Sequence, residues 1–196
     1  DLVRSRGLGD VYKRQVQFSK LGENRITVNY GNQYKLYLEF FCTQPIETLI
    51  KKRAAFITQK QQVKNSGKWY EGLFSLWDMK NKIRRSPDDT GGLSPYMVGG
   101  SDDPSNCKAP YLAAKNVHLP VQIEIAAIEY HLEHFVWGGL QRMDTELPYP
   151  YGIYGIDNWY VNRNSPYGFG SGGLGKEHLW RGYDYPTMIS LYYDMY

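Results

Sequence analysis

The strongest helical pattern in the chain is VQIEIAAIEYHLEHFVWGGL, which runs from Val121 to Leu140. Pro120 precedes this segment and Gly138-Gly139 close it, as expected at the two ends of a helix. Apolar residues recur at every third or fourth position and form a stripe that we expect to face a core: Ile125, Ile128, Leu132, Phe135 and Val136. The segment therefore predicts an amphipathic helix on which other parts of the chain pack.

Other patterns lie on both sides of this helix. The segments RITVNY (25–30) and YKLYLEFF (34–41) alternate apolar and polar residues, and Gly31-Asn32 between them predicts a hairpin turn. After Cys42 the period changes, and an apolar face that follows Pro45 predicts a helix to about Val63. A last helix is predicted from about Pro186. Strands thus give way to helices near Cys42, which favours a mainly α chain.

Composition narrows the possible functions. The 196 residues carry a formal net charge of +3, which is too mild to indicate nucleic acid as a partner, and no apolar run is long enough for a transmembrane helix. Aromatic residues make up 15% of the chain and include 18 tyrosines. They are concentrated between Pro148 and Tyr185, where 10 of 38 residues are aromatic. This enrichment indicates an aromatic surface built on loops.

Both ends of the sequence are unusual. Residues 1–15, DLVRSRGLGDVYKRQ, show no periodicity and resemble a translated sequencing adaptor, so we interpret them as a non-native artefact and exclude them from the fold. The alternative is a natural basic linker. At Tyr196 the chain stops inside an apolar helical pattern without a stop signal. We therefore expect the sequence to be a piece of a longer protein.

The first candidate site is the loop MVGGSDDPSNCKAPY, residues 97–111. Asp102 and Asp103 are adjacent there, and neighbouring carboxylates raise one another's pKa, which suits acid or base catalysis. Carboxylates also accept hydrogen bonds from pairs of sugar hydroxyls. The alternative interpretation is an ordinary Asx turn in a surface loop.

A second candidate is GKEHLWRGYD, residues 175–184. Glu177 lies close to Trp180 in the sequence, and a carboxylate beside an aromatic wall can serve as a general acid. Arg181 and Asp184 add further ionisable groups, although Asp184 could equally cap the last helix.

The third candidate is YPYGIYGIDNWY, residues 149–160. Tyr154 and Trp159 offer rings on which the flat faces of sugars stack, and Asp157 can accept hydrogen bonds from hydroxyls. The alternative is an aromatic loop that packs against its own domain, and the two interpretations are compatible.

Two further patterns argue against a metal or a nucleotide. His131 and His134 lie on the long helix with Glu129 and Glu133, but neither HExxH nor HxxEH is present, so a solvated or satisfied helix face is the better interpretation. The segment GSGGLGK (170–176) resembles a P-loop, yet Glu177 follows where Ser or Thr should bind magnesium. We expect no metal and no cofactor.

Four motifs together carry a resemblance to a known family: GKWYEGLFSLWD (67–78), GGSDDPSNCKAPYLA (99–113), YPYGIYGIDNWY (149–160) and GKEHLWRGYDYP (175–186). They resemble the six-hairpin, (α/α)6-toroid class of carbohydrate-active proteins, and most of all a bacterial and fungal family known only as a domain of unknown function. The resemblance implies that residues 43–196 form the N-terminal part of a helical toroid. Residues 16–42 would then be the last strands of a β-sandwich or a strand linker. A secreted or periplasmic location is also implied.

In this class two carboxylates commonly cleave an oligo- or polysaccharide, so the resemblance implies a glycoside hydrolase. We expect Glu177 to be the general acid, and Asp102 or Asp103 to be the base or a subsite ligand. The expected substrate-binding residues are Asp78, Tyr154, Asp157, Trp159, Trp180, Arg181 and Asp184. The alternatives are a non-catalytic glycan-binding or scaffold protein with an aromatic loop surface, and aromatic residues that are merely structural.

Overall fold

The computed structural model describes residues 16–89, 107–147, 149–154 and 185–196. The segment predicted to be non-native, residues 1–15, lies outside these ranges. The chain divides into two compact units, one ending at Leu49 and the other beginning at Ile50. Within the described residues, no helix combines the length and the hydrophobicity that a membrane crossing requires.

The first unit contains the predicted hairpin. Strands β1 (Gly22–Tyr30) and β2 (Tyr34–Cys42) pair antiparallel from Gly22↔Cys42 to Tyr30↔Tyr34. Gly31 has φ +59°, a left-handed conformation that glycine adopts without a steric penalty, so the predicted turn is confirmed. Arg25 and Glu39 are cross-strand partners, and their Nη2 and Oε1 atoms lie 2.6 Å apart at the surface.

The second unit contains the helices and a small second hairpin. Helix α1 (Ile46–Phe56) begins before the unit boundary and continues into a first π-helical turn, Ile57–Gln61. Strands β3 (Trp77–Asp78) and β4 (Ile83–Arg84) pair antiparallel. The remaining helices are α2 (Lys108–His118), α3 (Gln122–His131) with a second π-helical turn at Leu132–Val136, and α4 (Tyr185–Met195). Helix α2 packs against both α3 and α4.

A single core holds these elements together. Of the predicted stripe on α3, Ile128, Phe135 and Val136 are buried, and Leu132 packs at the edge of the core. Helix α2 contributes Ala109, Leu112 and Ala113, and α3 also contributes Ala127. The other members come from α1, α4 and the intervening segments: Ala54, Ile57, Val63, Tyr70, Leu73, Phe74, Leu140, Ile153, Tyr154, Met188 and Leu191. Burial of these apolar side chains is the main favourable term for this unit.

A buried ion pair joins α2 to α3. Lys115 Nζ lies 2.7 Å from Glu124 Oε2, and both side chains are almost completely buried. Asn116 donates to the same carboxylate at 3.1 Å and accepts from the backbone N–H of Val121 at 2.8 Å. Because each charge is paired and hydrogen-bonded, the pair can be tolerated inside the protein.

The prediction of a mainly α, partial (α/α)6 toroid is wrong. The described residues are 40% helical and 21% strand, with four short α-helices and small antiparallel sheets. Apolar spacing predicted the individual helices α1, α3 and α4 correctly. It could not predict that the chain between them would pair as short strands and isolated bridges, which interrupt any regular ring of helical hairpins.

Candidate functional site

A groove of about 400 Å³ lies beside the C-terminal end of α3 in the described part of the second unit. The groove is shallow and widely open to solvent. Its walls come from α3, from the second π-helical turn and from α4: Glu129, Leu132, Glu133, Trp137 and Tyr192. We call this feature the aromatic groove.

The second π-helical turn positions Trp137. The backbone N–H of Trp137 donates to the carbonyl of Leu132 at 2.8 Å, and Trp137 itself has the extended dihedrals φ −70° and ψ 123°. Gly138 follows with φ +71°, so the chain reverses there. The Trp137 side chain is therefore held at the surface, where it is 43% exposed.

A second exposed ring extends the surface of the groove. The centroids of Trp137 and Tyr151 lie 6.1 Å apart with an interplanar angle of 35°, and Tyr151 is 52% exposed. Tyr151 has φ +63°, an uncommon conformation for a residue other than glycine. Two neighbouring exposed rings offer a stacking surface for a flat apolar face.

Gln141 links two of the segments beside the groove. The Tyr192 hydroxyl donates to Gln141 Oε1 at 2.6 Å, and Gln141 Nε2 donates to the carbonyl of Tyr151 at 3.3 Å. Burial raises the pKa of Tyr192 to about 12, so its hydroxyl stays protonated and keeps donating. One amide thus links the tyrosine of α4 to the segment that carries Tyr151.

Two carboxylates complete the aromatic groove. Glu129 and Glu133 are both exposed, and they project from successive turns of the same helical segment. Glu133 Oε2 lies 3.9 Å from Nε2 of His134, and the Glu133 side chain is 77% exposed. The surface that lines the groove is almost entirely apolar, so Glu129 and Glu133 contribute chiefly their aliphatic carbons, and their carboxylates lie at its exposed edge.

A cluster centred on Glu71 has a structural role. The Tyr130 hydroxyl donates to Glu71 Oε1 at 2.9 Å, while the backbone N–H and the hydroxyl of Ser66 donate to Oε2 at 2.7 and 2.6 Å. Desolvation acts to raise the pKa of Glu71, but these hydrogen bonds outweigh it and lower the pKa to about 2. Because both oxygens are engaged, Glu71 ties the turn before it to α3.

His131 belongs to the core. Its Nδ1 lies 3.0 Å from the carbonyl of Gly72, and its ring lies between those of Phe74 and Phe135 at centroid distances of 5.0 and 5.4 Å. Burial lowers its pKa to about 4, so the ring is neutral at pH 7. This agrees with the interpretation of a satisfied helix face. Within the described ranges, no three His, Cys, Asp or Glu side chains converge as metal ligands.

Two of the predicted site residues, Asp78 and Tyr154, are described, and each is hydrogen-bonded within the second unit. The Asp78 carboxylate accepts from the backbone N–H groups of Lys80 and Asn81, each at 2.9 Å, and from Asn81 Nδ2 at 2.7 Å. The hydrogen bonds from Asn81 lower the pKa of Asp78. Tyr154 is fully buried, and its hydroxyl accepts from Arg142 Nη1 at 3.0 Å. Neither side chain lines the aromatic groove.

The other predicted site residues lie outside the described ranges: Asp102, Asp103, Asp157, Trp159, Glu177, Trp180, Arg181 and Asp184. Sequence reasoning did not predict Trp137 or Tyr192 as site residues, and it interpreted Glu129 and Glu133 as a solvated face. The available signal was Trp137 itself, since a tryptophan placed between the end of a helix and Gly138-Gly139 has no position in the core stripe.

Comparison with known proteins gives one informative likeness. No family profile and no curated protein matches the sequence. A solved polysaccharide lyase is similar in structure, with a TM-score of 0.64 and 18% sequence identity. The match covers 90% of this chain and 23% of the lyase chain. This chain therefore shares its fold with a part of a carbohydrate-active enzyme and spans about a quarter of that enzyme's length.

Proposed function

We propose that this chain is the part of a polysaccharide-degrading protein that holds the sugar chain, and that a sugar unit binds in the aromatic groove. The observation that carries this proposal is the pair of exposed rings, Trp137 and Tyr151, next to two exposed carboxylates. The likeness of fold to a polysaccharide lyase supports it.

The chemistry of sugars fits the groove. A pyranose ring presents a flat C–H face that packs on Trp137, and its rim of hydroxyls can donate to Glu129 and Glu133. Such a site favours binding of an extended chain, because one sugar unit can stack on Trp137 while the neighbouring unit stacks on Tyr151. In this proposal Tyr151 lies at one end of a longer binding surface. The rest of that surface is formed by Asp157, Trp159, Trp180, Arg181 and Asp184.

For catalysis we propose hydrolysis by two carboxylates in the full-length protein. Glu177 protonates the glycosidic oxygen as the bond to the anomeric carbon breaks, and Asp102 or Asp103 takes a proton from the water that attacks that carbon. An inverting pair of this kind stands roughly 6.5–9.5 Å apart. In this proposal Asp78 and Tyr154 support the fold and do not contact the substrate.

The second candidate is β-elimination, which the structural likeness to a polysaccharide lyase favours. In an elimination a base removes the proton next to the carboxylate of a uronic acid, the bond from C4 to the glycosidic oxygen breaks, and a double bond remains in the product. No water is consumed. Products with an unsaturated end absorb ultraviolet light, whereas hydrolysis in heavy-oxygen water places the label on the new reducing end.

The binding test compares two aromatic substitutions in the full-length protein. We expect Trp137→Ala to weaken binding of the preferred polysaccharide by about tenfold, the equivalent of one lost stacking contact. Tyr193→Ala is the matched control because Tyr193 is 80% exposed on α4 but does not line the groove. Equal affinities of the Trp137→Ala variant and the unmodified protein would refute the proposed groove. Binding without any product would identify a non-catalytic glycan-binding protein.

A further inference from the structure

We infer that one face of the β1–β2 hairpin is an interdomain surface, which the apolar face of a second β-sheet of the same polypeptide covers in the full-length protein. The hairpin belongs to the first unit, so this inference is independent of the sugar site proposed in the second. The two faces of the hairpin differ sharply in polarity, and that difference is the basis of the inference.

The register of the hairpin separates an apolar face from a charged one. Cross-strand partners point to the same face, and successive residues point to opposite faces. Because Ile26 pairs with Leu38 and Val28 with Leu36, these four side chains share one face with Phe40, and we call this surface the apolar hairpin face. The other face carries all four charged residues of the two strands: Glu23, Arg25, Lys35 and Glu39.

Most of the apolar hairpin face is exposed. Four of its five side chains are at least 40% exposed: Val28, Leu36, Leu38 and Phe40. Aromatic rings extend it at both ends, since Tyr30 and Tyr34 stack beside the turn at 5.5 Å and Phe18 lies 5.1 Å from Phe40, measured between ring centroids. A continuous exposed apolar surface of this kind marks an interaction site. An antiparallel sheet with one apolar and one charged face is typical of a layer packed on a core.

The pairing of the strands indicates that the partner is a sheet. Among the described residues, β1 and β2 pair only with each other, and an isolated two-stranded hairpin is marginally stable in water. Each strand has nine residues and an outer edge that can accept a further strand. A larger antiparallel sheet with one apolar face buries that face against a second sheet in a β-sandwich. For residues 16–42 this favours the end of a β-sandwich over a strand linker.

The size of the face favours a partner in the same polypeptide. Two paired nine-residue strands present a surface about 30 Å long and about 10 Å wide, so covering it buries about 600 Å² from both partners together. Stable association of independent proteins needs about 1,200 Å², so a second copy would bind only weakly here. Domains of one chain need less, because tethering raises their effective concentration. The solved lyase of similar fold is also a longer chain, of which the match covers 23%.

Labelling of single cysteines in the full-length protein tests whether the face is covered. Leu36 and Tyr37 are adjacent, lie on opposite faces and are both 51% exposed in this structure, so Leu36→Cys and Tyr37→Cys form a matched pair. Reaction with a maleimide is followed at each site by peptide mass spectrometry, which reads the native Cys42 and Cys107 separately. We expect Leu36→Cys to react about tenfold more slowly than Tyr37→Cys, because a covered side chain is labelled only through local opening.

A second pair keeps the test decisive if one of these variants does not fold. Leu38→Cys lies on the apolar hairpin face and Lys35→Cys on the charged face, and the same difference in rate is expected. Equal rates on the two faces would show that the face is uncovered and would overturn the inference. Protection that vanishes on dilution would identify a second copy, and protection only with added polysaccharide would identify a sugar-binding surface; either result overturns it as well.

Cross-linking identifies what covers the face. Phe40 is replaced by a photoreactive phenylalanine analogue, and the full-length protein is irradiated and digested. We expect a product with the mass of one polypeptide, in which Phe40 is joined to a segment that alternates apolar and polar residues as a strand does. A product with twice that mass, or a link to a segment with helical periodicity, would refute the proposed sheet partner. The proposed sugar site would stand in either case, because it depends on residues of the second unit.

Discussion

Substitution of Gly72 by alanine tests the close approach between the turn at Gly72 and the C-terminal end of α3. Gly72 has φ +81°, and a Cβ atom added there would lie 3.0 Å from the carbonyl oxygen of Tyr130 and 3.3 Å from both His131 Cα and His134 Cβ. The Gly72 N–H donates to the carbonyl of Val63 at 3.0 Å, and its own carbonyl lies 3.0 Å from His131 Nδ1. The new methyl group cannot be accommodated unless α3 or this turn moves.

The loss of stability expected for Gly72→Ala has two parts, and a control variant can separate them. A left-handed conformation costs an alanine about 1–2 kcal/mol, and forced repacking of a filled site costs about 1–3 kcal/mol more. We therefore expect Gly72→Ala to lower the free energy of unfolding by about 3 kcal/mol. Gly67 has φ +63° with no atom within 4 Å of an added Cβ, so Gly67→Ala should show only the conformational cost, about 1 kcal/mol.

The assay is equilibrium denaturation in guanidinium chloride of the unmodified protein and both variants, followed by tryptophan fluorescence. Midpoints and slopes give the free energy of unfolding for each protein. The opposite result is that the two variants lose the same free energy of unfolding, to within about 0.5 kcal/mol. In that case α3 does not approach this turn as closely as the structure shows, and the reasoning is refuted.

Three further predictions concern buried groups. Burial lowers the pKa of His131 from its ordinary value of 6.5 to about 4, so the unfolded chain binds more protons between these two pH values. The free energy of unfolding should therefore fall as the pH is lowered from 6.5, by about 3 kcal/mol in total at pH 4 and below. Denaturation of His131→Phe measured over the same pH range should lack this component. Lys115→Met should lower the free energy of unfolding by about 3–5 kcal/mol, measured by thermal or chemical denaturation, because it leaves the buried carboxylate of Glu124 without its cation. A loss below about 1 kcal/mol would contradict the ion pair. Tyr192→Phe should cost about 1–3 kcal/mol because Gln141 Oε1 loses its donor, and a fully stable variant would show that this bond is not formed.

Secondary structure was predictable where the spacing of apolar residues is regular. Helix α3 followed from its apolar stripe even though Glu124 and His131 are also buried, and the β1–β2 hairpin followed from alternation and Gly31 although most of β2 is exposed. Helix α2 was missed because the predicted loop, residues 97–111, includes its first turn, and because its buried positions include the polar residues Lys108, Lys115 and Asn116. Two of these, Lys115 and Asn116, have partners on or next to α3, which sequence periodicity cannot show.

The site was less predictable because the same residue type serves binding and structure. Tyr154 and Tyr151 are three positions apart in one motif, yet Tyr154 is fully buried against Arg142 and Tyr151 is exposed beside Trp137. Asp78 was predicted to bind substrate, and the structure shows its carboxylate capping a turn. Composition could indicate that this protein carries aromatic surfaces, whereas the choice of ring depends on contacts between segments distant in sequence.

The two π-helical turns explain how the fold produces an exposed tryptophan at the end of its best helix. Each turn directly continues an α-helix and ends at a residue in extended conformation, Gln62 with ψ 133° and Trp137 with ψ 123°. Each of these residues then forms a strand-like bridge, Gln62 to Phe74 and Trp137 to Gln141.

Because a π-helical turn takes more residues than an α-helical one, it rotates the next side chain away from the apolar stripe. At Gln62 the rotated side chain is still covered and donates to the carbonyl of Ala127, while at Trp137 it reaches the surface beside Glu133. The first π-helical turn therefore places Gln62 so that it hydrogen-bonds to α3, and the second places Trp137 in the wall of the aromatic groove.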